Sequence, residues 1–146
     1  MDRLEILMVE DNGGDVVLLD EAFTRAGIAH RVNVISDGAE AIEFLRRQGP
    51  YAQAPRPDVI VLDLKLPRKG GREVLDEILP DPDLGRIPIV VLSSSQTELE
   101  VVVKKYRLPE GFCIAKPSTF AGYIGIAKTI GAYGHHVAGN QTSLTP

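Results

Sequence analysis

The sequence predicts an α/β fold in which a five-stranded parallel sheet is doubly wound, with helices on both faces. Two observations predict it. Five short β-type runs, at 5–9, 31–35, 58–62, 88–92 and 111–115, alternate with helical patterns along the chain. Two of those runs, DVIVLD and IPIVVL, are continuous apolar stretches of the kind found in strands buried on both faces. Parallel strands joined through helices require right-handed crossovers, and these distribute the helices over both sides of the sheet.

Each element carries its own signal. The first run leads into a helix over 15–26, with Val16, Leu19, Ala22, Phe23 and Ala26 at helical spacing and Gly27 as its stop. The second run, RVNVIS, alternates and suits a strand nearer the sheet edge. Asp37 and Glu40 form a capping-box pattern that opens a helix reaching about Arg47. A Pro-containing loop, GPYAQAPRP, leads to the third run, and the following helix, 71–79, ends at Pro80. A turn-rich bridge over 80–87 then reaches the fourth run. Thr97 with Glu100 suggests another capping box, although Val101, Val102 and Val103 make a poor helical centre. The last helix, 119–133, contains Gly122, Gly125 and Gly131, each costing about 1 kcal/mol relative to Ala. Beyond it the composition turns to Gly, His, Asn, Gln, Ser and Thr, so the expected domain is 1–133 with a flexible tail over 134–146.

Composition narrows the function classes. The 146 residues fit one domain, with 44% hydrophobic and 25% charged residues, ordinary for a globular chain. A net charge of −4 disfavours a non-specific DNA or membrane-surface binder. No apolar run approaches a membrane span, and the first residues carry no cleavage-site pattern. The single cysteine, Cys113, cannot form an internal disulfide and suits a reducing compartment. A soluble cytoplasmic protein with no DNA and no membrane partner is expected.

In a doubly wound sheet, ligands bind beyond the carboxyl ends of the strands. The first run ends in Glu10-Asp11, the third meets Asp63, the fourth is followed by Ser93-Ser94-Ser95, and the fifth by Lys116-Pro117. Each residue alone has a commonplace role in a turn or cap. Their coincidence at four strand ends does not. Clustered carboxylates raise one another's pKa unless a cation intervenes, and a ligand set of oxygens alone suits Mg²⁺. A nearby lysine and hydroxyl complete a constellation fit for phosphoryl transfer, with a carboxylate as nucleophile. Asp63, at the end of the most apolar strand, is the candidate.

In this order, the motifs ILMVEDN, VIVLDLKLP with Gly71, PIVVLSSS and Lys116-Pro117 strongly resemble the receiver domain of bacterial two-component response regulators. The resemblance covers about residues 4–133. It implies a flavodoxin-like (βα)₅ fold with strand order 2-1-3-4-5. It also implies that Asp63 accepts phosphate from a histidine kinase, with Asp11 and Asp63 as direct Mg²⁺ ligands and Glu10 acting through water. The backbone carbonyl of Lys65 would complete the protein's share of the metal. Ser93 would be the hydroxyl that moves to the phosphoryl group, Lys116 would pair with that group, and the Lys116–Pro117 bond would be cis. The loop around Tyr51 and the segment DPDLGRIPIVVLSSS resemble the stand-alone regulators paired with bacterial phytochromes, several of which form homodimers. No second domain is visible, so signalling by protein–protein docking is implied.

Several positions depart from the family pattern. Cys113 stands where an aromatic usually changes rotamer, and Phe112 beside it should face the other side of the strand. Cys113 is expected to be a small hydrophobe and not a reactive thiol. Lys65 follows the acceptor by two residues, where its charge either reaches solvent or contacts the phosphoryl group. Ser93 replaces the commoner Thr, and Gly70 takes the place of an Asp as the N-cap of the third helix. His135 and His136 lie in the expected tail without metal-ligating neighbours, and His30 is isolated. None of the three reads as a phosphohistidine donor. Two other function classes compete with a working receiver: a vestigial receiver acting as a dimerising interaction module, and a Mg²⁺-dependent phosphatase with an aspartyl nucleophile.

Overall fold

The computed structural model describes residues 3–144, with side chains described over 3–132 apart from Glu110. Five strands, β1 (Leu4–Val9), β2 (His30–Ile35), β3 (Val59–Asp63), β4 (Ile89–Ser93) and β5 (Cys113–Ala115), alternate with helices α1 (Gly13–Arg25), α2 (Gly38–Leu45), α3 (Gly71–Ile78), α4 (Gln96–Tyr106) and α5 (Phe120–Leu144). All four pairings are parallel, and the strand order is β2-β1-β3-β4-β5. This is the doubly wound, flavodoxin-like arrangement expected from the alternation.

Period-two alternation divides the strands between two cores. Leu7, Val9, Ile60, Leu62, Ile89 and Val91 face one side, where they pack with Ile42, Phe44, Val74, Leu75, Leu99 and Val102 of α2, α3 and α4. Leu4, Ile6, Met8, Val59, Val61, Val90 and Leu92 face the other, against Phe23 of α1 and Tyr123, Ile126 and Ile130 of α5. Every residue of β3 and β4 is buried, in line with their unbroken apolar sequence. By contrast, β2 is mixed in burial and lies at the sheet edge. Among the described residues no helix is long and apolar enough to cross a membrane.

Element ends differ from expectation in ways that matter for the site. Asp63 and Ser93 are the last residues of β3 and β4, so the ladder itself fixes their backbones. At α4 the N-cap is Ser95, whose hydroxyl accepts the Glu98 amide at 3.1 Å. The expected cap, Thr97, is inside the helix. Of the Asp37–Glu40 box, the cap is present, with Asp37 accepting the Glu40 amide at 2.8 Å. The Glu40 carboxylate instead takes the Tyr51 hydroxyl at 2.9 Å, which folds the long loop back onto α2. Strand β5 is shorter than expected, because a 3₁₀ turn over Glu110–Phe112, closed by the Phe112 amide on the Pro109 carbonyl at 3.0 Å, uses up its start.

No described peptide bond is cis. The Lys116–Pro117 bond is therefore trans here, the isomer favoured intrinsically by about 0.5–1 kcal/mol. Helix α5 extends past its expected end at Tyr133 to Leu144. His135, His136 and most of the expected tail lie where side chains are outside the described residues.

Candidate functional site

The strand ends converge as the sequence led us to expect. Glu10 leaves β1, its amide held by the Ile35 carbonyl of β2 at 3.0 Å, and its side chain turns inward to 2% exposure. Asp11 beside it points to solvent, and Asn12 then caps α1 by accepting the Asp15 amide at 3.1 Å. Glu10, Asp11 and Asp63 each offer one oxygen within 4.8 Å of the others, a grouping suited to a metal ion.

Asp63 is buried at the end of β3. Its Oδ1 accepts the Lys65 amide at 3.2 Å and its Oδ2 accepts Lys116 Nζ at 3.2 Å. The next helix begins against it. A Cβ at Gly71 would lie 2.7 Å from the Asp63 carbonyl oxygen and 2.7 Å from Leu64 Cα, so only glycine lets α3 start so close to β3. Gly70 is the N-cap, as expected, and its amide reaches the Glu73 carboxylate at 3.5 Å. The loop between is pinned by Arg68, whose guanidinium donates to both oxygens of Asp37 at 2.9 Å. The side chain of Lys65 is exposed.

Lys116 enters from the end of β5, its amide on the Ser93 carbonyl at 2.9 Å. Its ammonium meets three carboxylates: Asp15 Oδ2 at 2.8 Å, Asp63 Oδ2 at 3.2 Å and Glu10 Oε1 at 3.2 Å. Burial works against its charge. The Asp15 hydrogen bond and the fields of Glu10 and Asp63 outweigh that cost, and the pKa is raised above the ordinary lysine value. Ser93 is almost fully buried, and its hydroxyl donates to Glu98 Oε1 at 3.1 Å while accepting the Ser95 amide at 3.0 Å.

The electrostatics of the acid cluster suit a cation. Burial, and then the hydrogen bond and charge of Asp63, push the Glu10 carboxyl up to about 8. Its Oε1 is buried with no hydrogen-bond partner, despite standing 3.2 Å from the ammonium. An orphaned buried oxygen beside two further carboxylates fits a hard cation that takes oxygen ligands and keeps waters of its own.

Two participants escaped the sequence reading. Asp15 resembles an ordinary acidic residue in the first turn of a helix, where the dipole favours it. Its contact with Lys116 spans 101 positions, and no local signal encodes it. Glu98, which holds Ser93, was likewise hidden behind the misassigned α4 cap. Cys113 lies on the face packed against the α2–α4 side, and Phe112 on the opposite face, as the one-residue offset requires. The Cys113 thiol is half-buried and burial pushes its pKa up.

A family model described as the response regulator receiver domain matches residues 6–123. The chain is 48% identical over 97 residues to the response regulator Rcp1 of Synechocystis sp., a stretch that covers 66% of each chain. The chain thus spans just under two thirds of that relative. Among solved structures, the phosphorylated cyanobacterial phytochrome response regulator RcpA superposes with a TM-score of 0.76 at 41% identity, over 88% of this chain and 91% of that one. The Mn²⁺-bound form of Rcp1 gives 0.74 at 38% identity, over 89% and 93%.

Proposed function

The chain belongs to the response regulator receiver domain family, and from that premise we propose that it takes a phosphoryl group onto Asp63 from the phosphohistidine of a histidine kinase. The observation that carries the proposal is the single pocket in which buried Asp63 meets Lys116, Glu10 and Asp11. Mg²⁺ held by the carboxylates of Asp11 and Asp63 and the backbone carbonyl of Lys65, with Glu10 acting through water, would neutralise charge on the phosphoryl oxygens.

The chain's own residues supply the rest. Asp63 attacks phosphorus through a carboxylate oxygen. A P–O bond forms as the donor's P–N bond breaks, and the imidazole leaves with a proton from solvent. The Lys65 amide on Oδ1 keeps the carboxylate from rotating, which aims Oδ2 along the approach. Lys116 offsets the incoming negative charge. Ser93 gives up Glu98 and turns its hydroxyl to a phosphoryl oxygen. Hydrolysis is a separate step: water attacks phosphorus and gives its proton to solvent, the P–O bond to Asp63 breaks, and inorganic phosphate departs with the carboxylate restored. The protein therefore acts on itself and signals by docking.

The likeness to Rcp1 and to the phytochrome response regulator RcpA supports a kinase partner of the phytochrome type. A homodimer through the last helix is compatible with this role. One departure favours the vestigial reading: Cys113, and no aromatic, occupies the switch face of β5. Transfer separates the two. A bacteriophytochrome kinase carrying ³²P on its histidine should pass the label to the wild-type chain within minutes and not to Asp63→Asn. Label that stays on the kinase, or that moves equally to the variant, would favour the interaction module.

A further inference from the structure

We propose that Asp15 is the seat of Lys116 in the unphosphorylated protein, competing with the phosphoryl group for the ammonium and reporting the outcome to α5 through Tyr123. This inference rests on the reading of Asp63 as phosphoacceptor.

The geometry singles out Asp15 among the carboxylates around Lys116. Its contact is the shortest, 2.8 Å against 3.2 Å to both Asp63 and Glu10. It lies outside the grouping of Glu10, Asp11 and Asp63 that suits a metal. The three protons of the ammonium are engaged in the unphosphorylated protein, on Asp15 Oδ2, Asp63 Oδ2 and, at 3.4 Å, Glu10 Oε2. Phosphorylation of Asp63 through Oδ2 turns that carboxylate into an uncharged acyl phosphate linkage and frees the ammonium proton it held, while Glu10 stays with the metal-suited pair. Asp15 is then the one carboxylate outside the metal grouping that still competes with the phosphoryl oxygens for Lys116.

A second contact gives that release a reader. Asp15 Oδ1 accepts the Tyr123 hydroxyl at 3.3 Å, a contact 108 positions apart in sequence that joins α1 to α5. The Tyr123 ring is 4% exposed and packed in the α1–α5 core. Its phenol cannot simply turn to solvent when Asp15 loses the ammonium. A carboxylate without its cation is a stronger acceptor, so the phenol hydrogen bond tightens as Lys116 departs. The state of the phosphorylation site thus reaches α5 without passing through β5, where Cys113 stands in place of an aromatic.

The test uses fluoroberyllate with Mg²⁺ as a phosphoryl mimic and 3-fluorotyrosine as a reporter, the Tyr123 resonance being assigned from Tyr123→Phe. In the wild type, saturating fluoroberyllate should move the Tyr123 resonance. Asp15→Asn keeps the shape but removes the charge, and should bind fluoroberyllate about three- to tenfold more tightly. Its Tyr123 resonance should barely respond. Glu21→Gln, which removes one charge from the exposed side of the same helix, should match the wild type in both respects. Equal affinities in wild type and Asp15→Asn, or a Tyr123 resonance that ignores fluoroberyllate in the wild type, would overturn the inference. A wild type that binds no fluoroberyllate would instead overturn the phosphoacceptor reading, and this inference with it.

Discussion

Glu10 shows at the level of one residue how the site is held under tension. Its carboxyl is raised from an ordinary value near 4.5 to about 8 by burial, and then by the hydrogen bond and charge of Asp63. The folded state therefore holds a proton that the unfolded chain releases across that interval, and folding stability falls as pH rises from about 4.5 to 8. On the proposed reading a divalent cation would replace that proton. Thermal unfolding without metal should accordingly show a midpoint that drops between pH 5 and pH 8, and Mg²⁺ should remove most of the drop. Glu10→Gln should flatten the profile without metal; a variant that kept the wild-type slope would place the titration elsewhere. Cys113 makes the opposite case. Its half-buried thiol, pushed up in pKa by burial, should react with a thiol-specific disulfide reagent at least tenfold more slowly in the native protein than in denaturant. Equal rates would show that the thiol is accessible.

At the scale of elements, the site depends on how closely α3 approaches the end of β3. Gly71→Ala drives a methyl against the Asp63 carbonyl oxygen and Leu64 Cα, both backbone atoms with little room to yield. A loss of about 1–3 kcal/mol in denaturant unfolding is expected, together with weaker Mg²⁺ binding because the acceptor loop must shift. The α4 start is a milder case. Ser95→Ala removes the cap on the Glu98 amide and should cost about 1 kcal/mol. It also loosens the segment on which Glu98 holds Ser93. The element boundaries show where sequence reasoning stops. The strands were legible because a strand buried on both faces has little freedom in composition, as VIVLD and IVVLS show. The α4 cap was not, since Ser94, Ser95 and Thr97 all have cap chemistry and only the tertiary path of β4 selects among them.

For the whole molecule, the topology converts scattered residues into a site. Glu10, Asp63, Ser93 and Lys116 were legible as candidates because the doubly wound order brings the ends of β1, β3, β4 and β5 to one edge. Asp15 and Glu98 were not, because each has a sufficient local role in its helix and gains its second partner only through packing. That packing should be stiff. Phe23 is completely buried between α1, β1 and α5, and Phe23→Ala should cost about 3–5 kcal/mol in denaturant unfolding. A smaller loss would mean that α5 can collapse onto the cavity.

The central claim is that Asp63 is a metal-dependent phosphoacceptor, and intact mass tests it most directly. The purified protein is incubated with acetyl phosphate, with and without Mg²⁺, alongside Asp63→Asn. The account predicts one phosphoryl adduct that requires Mg²⁺, is absent from Asp63→Asn and decays on removal of the donor. A folded wild-type protein that gains no adduct, or an Asp63→Asn variant that gains the same one, would contradict it.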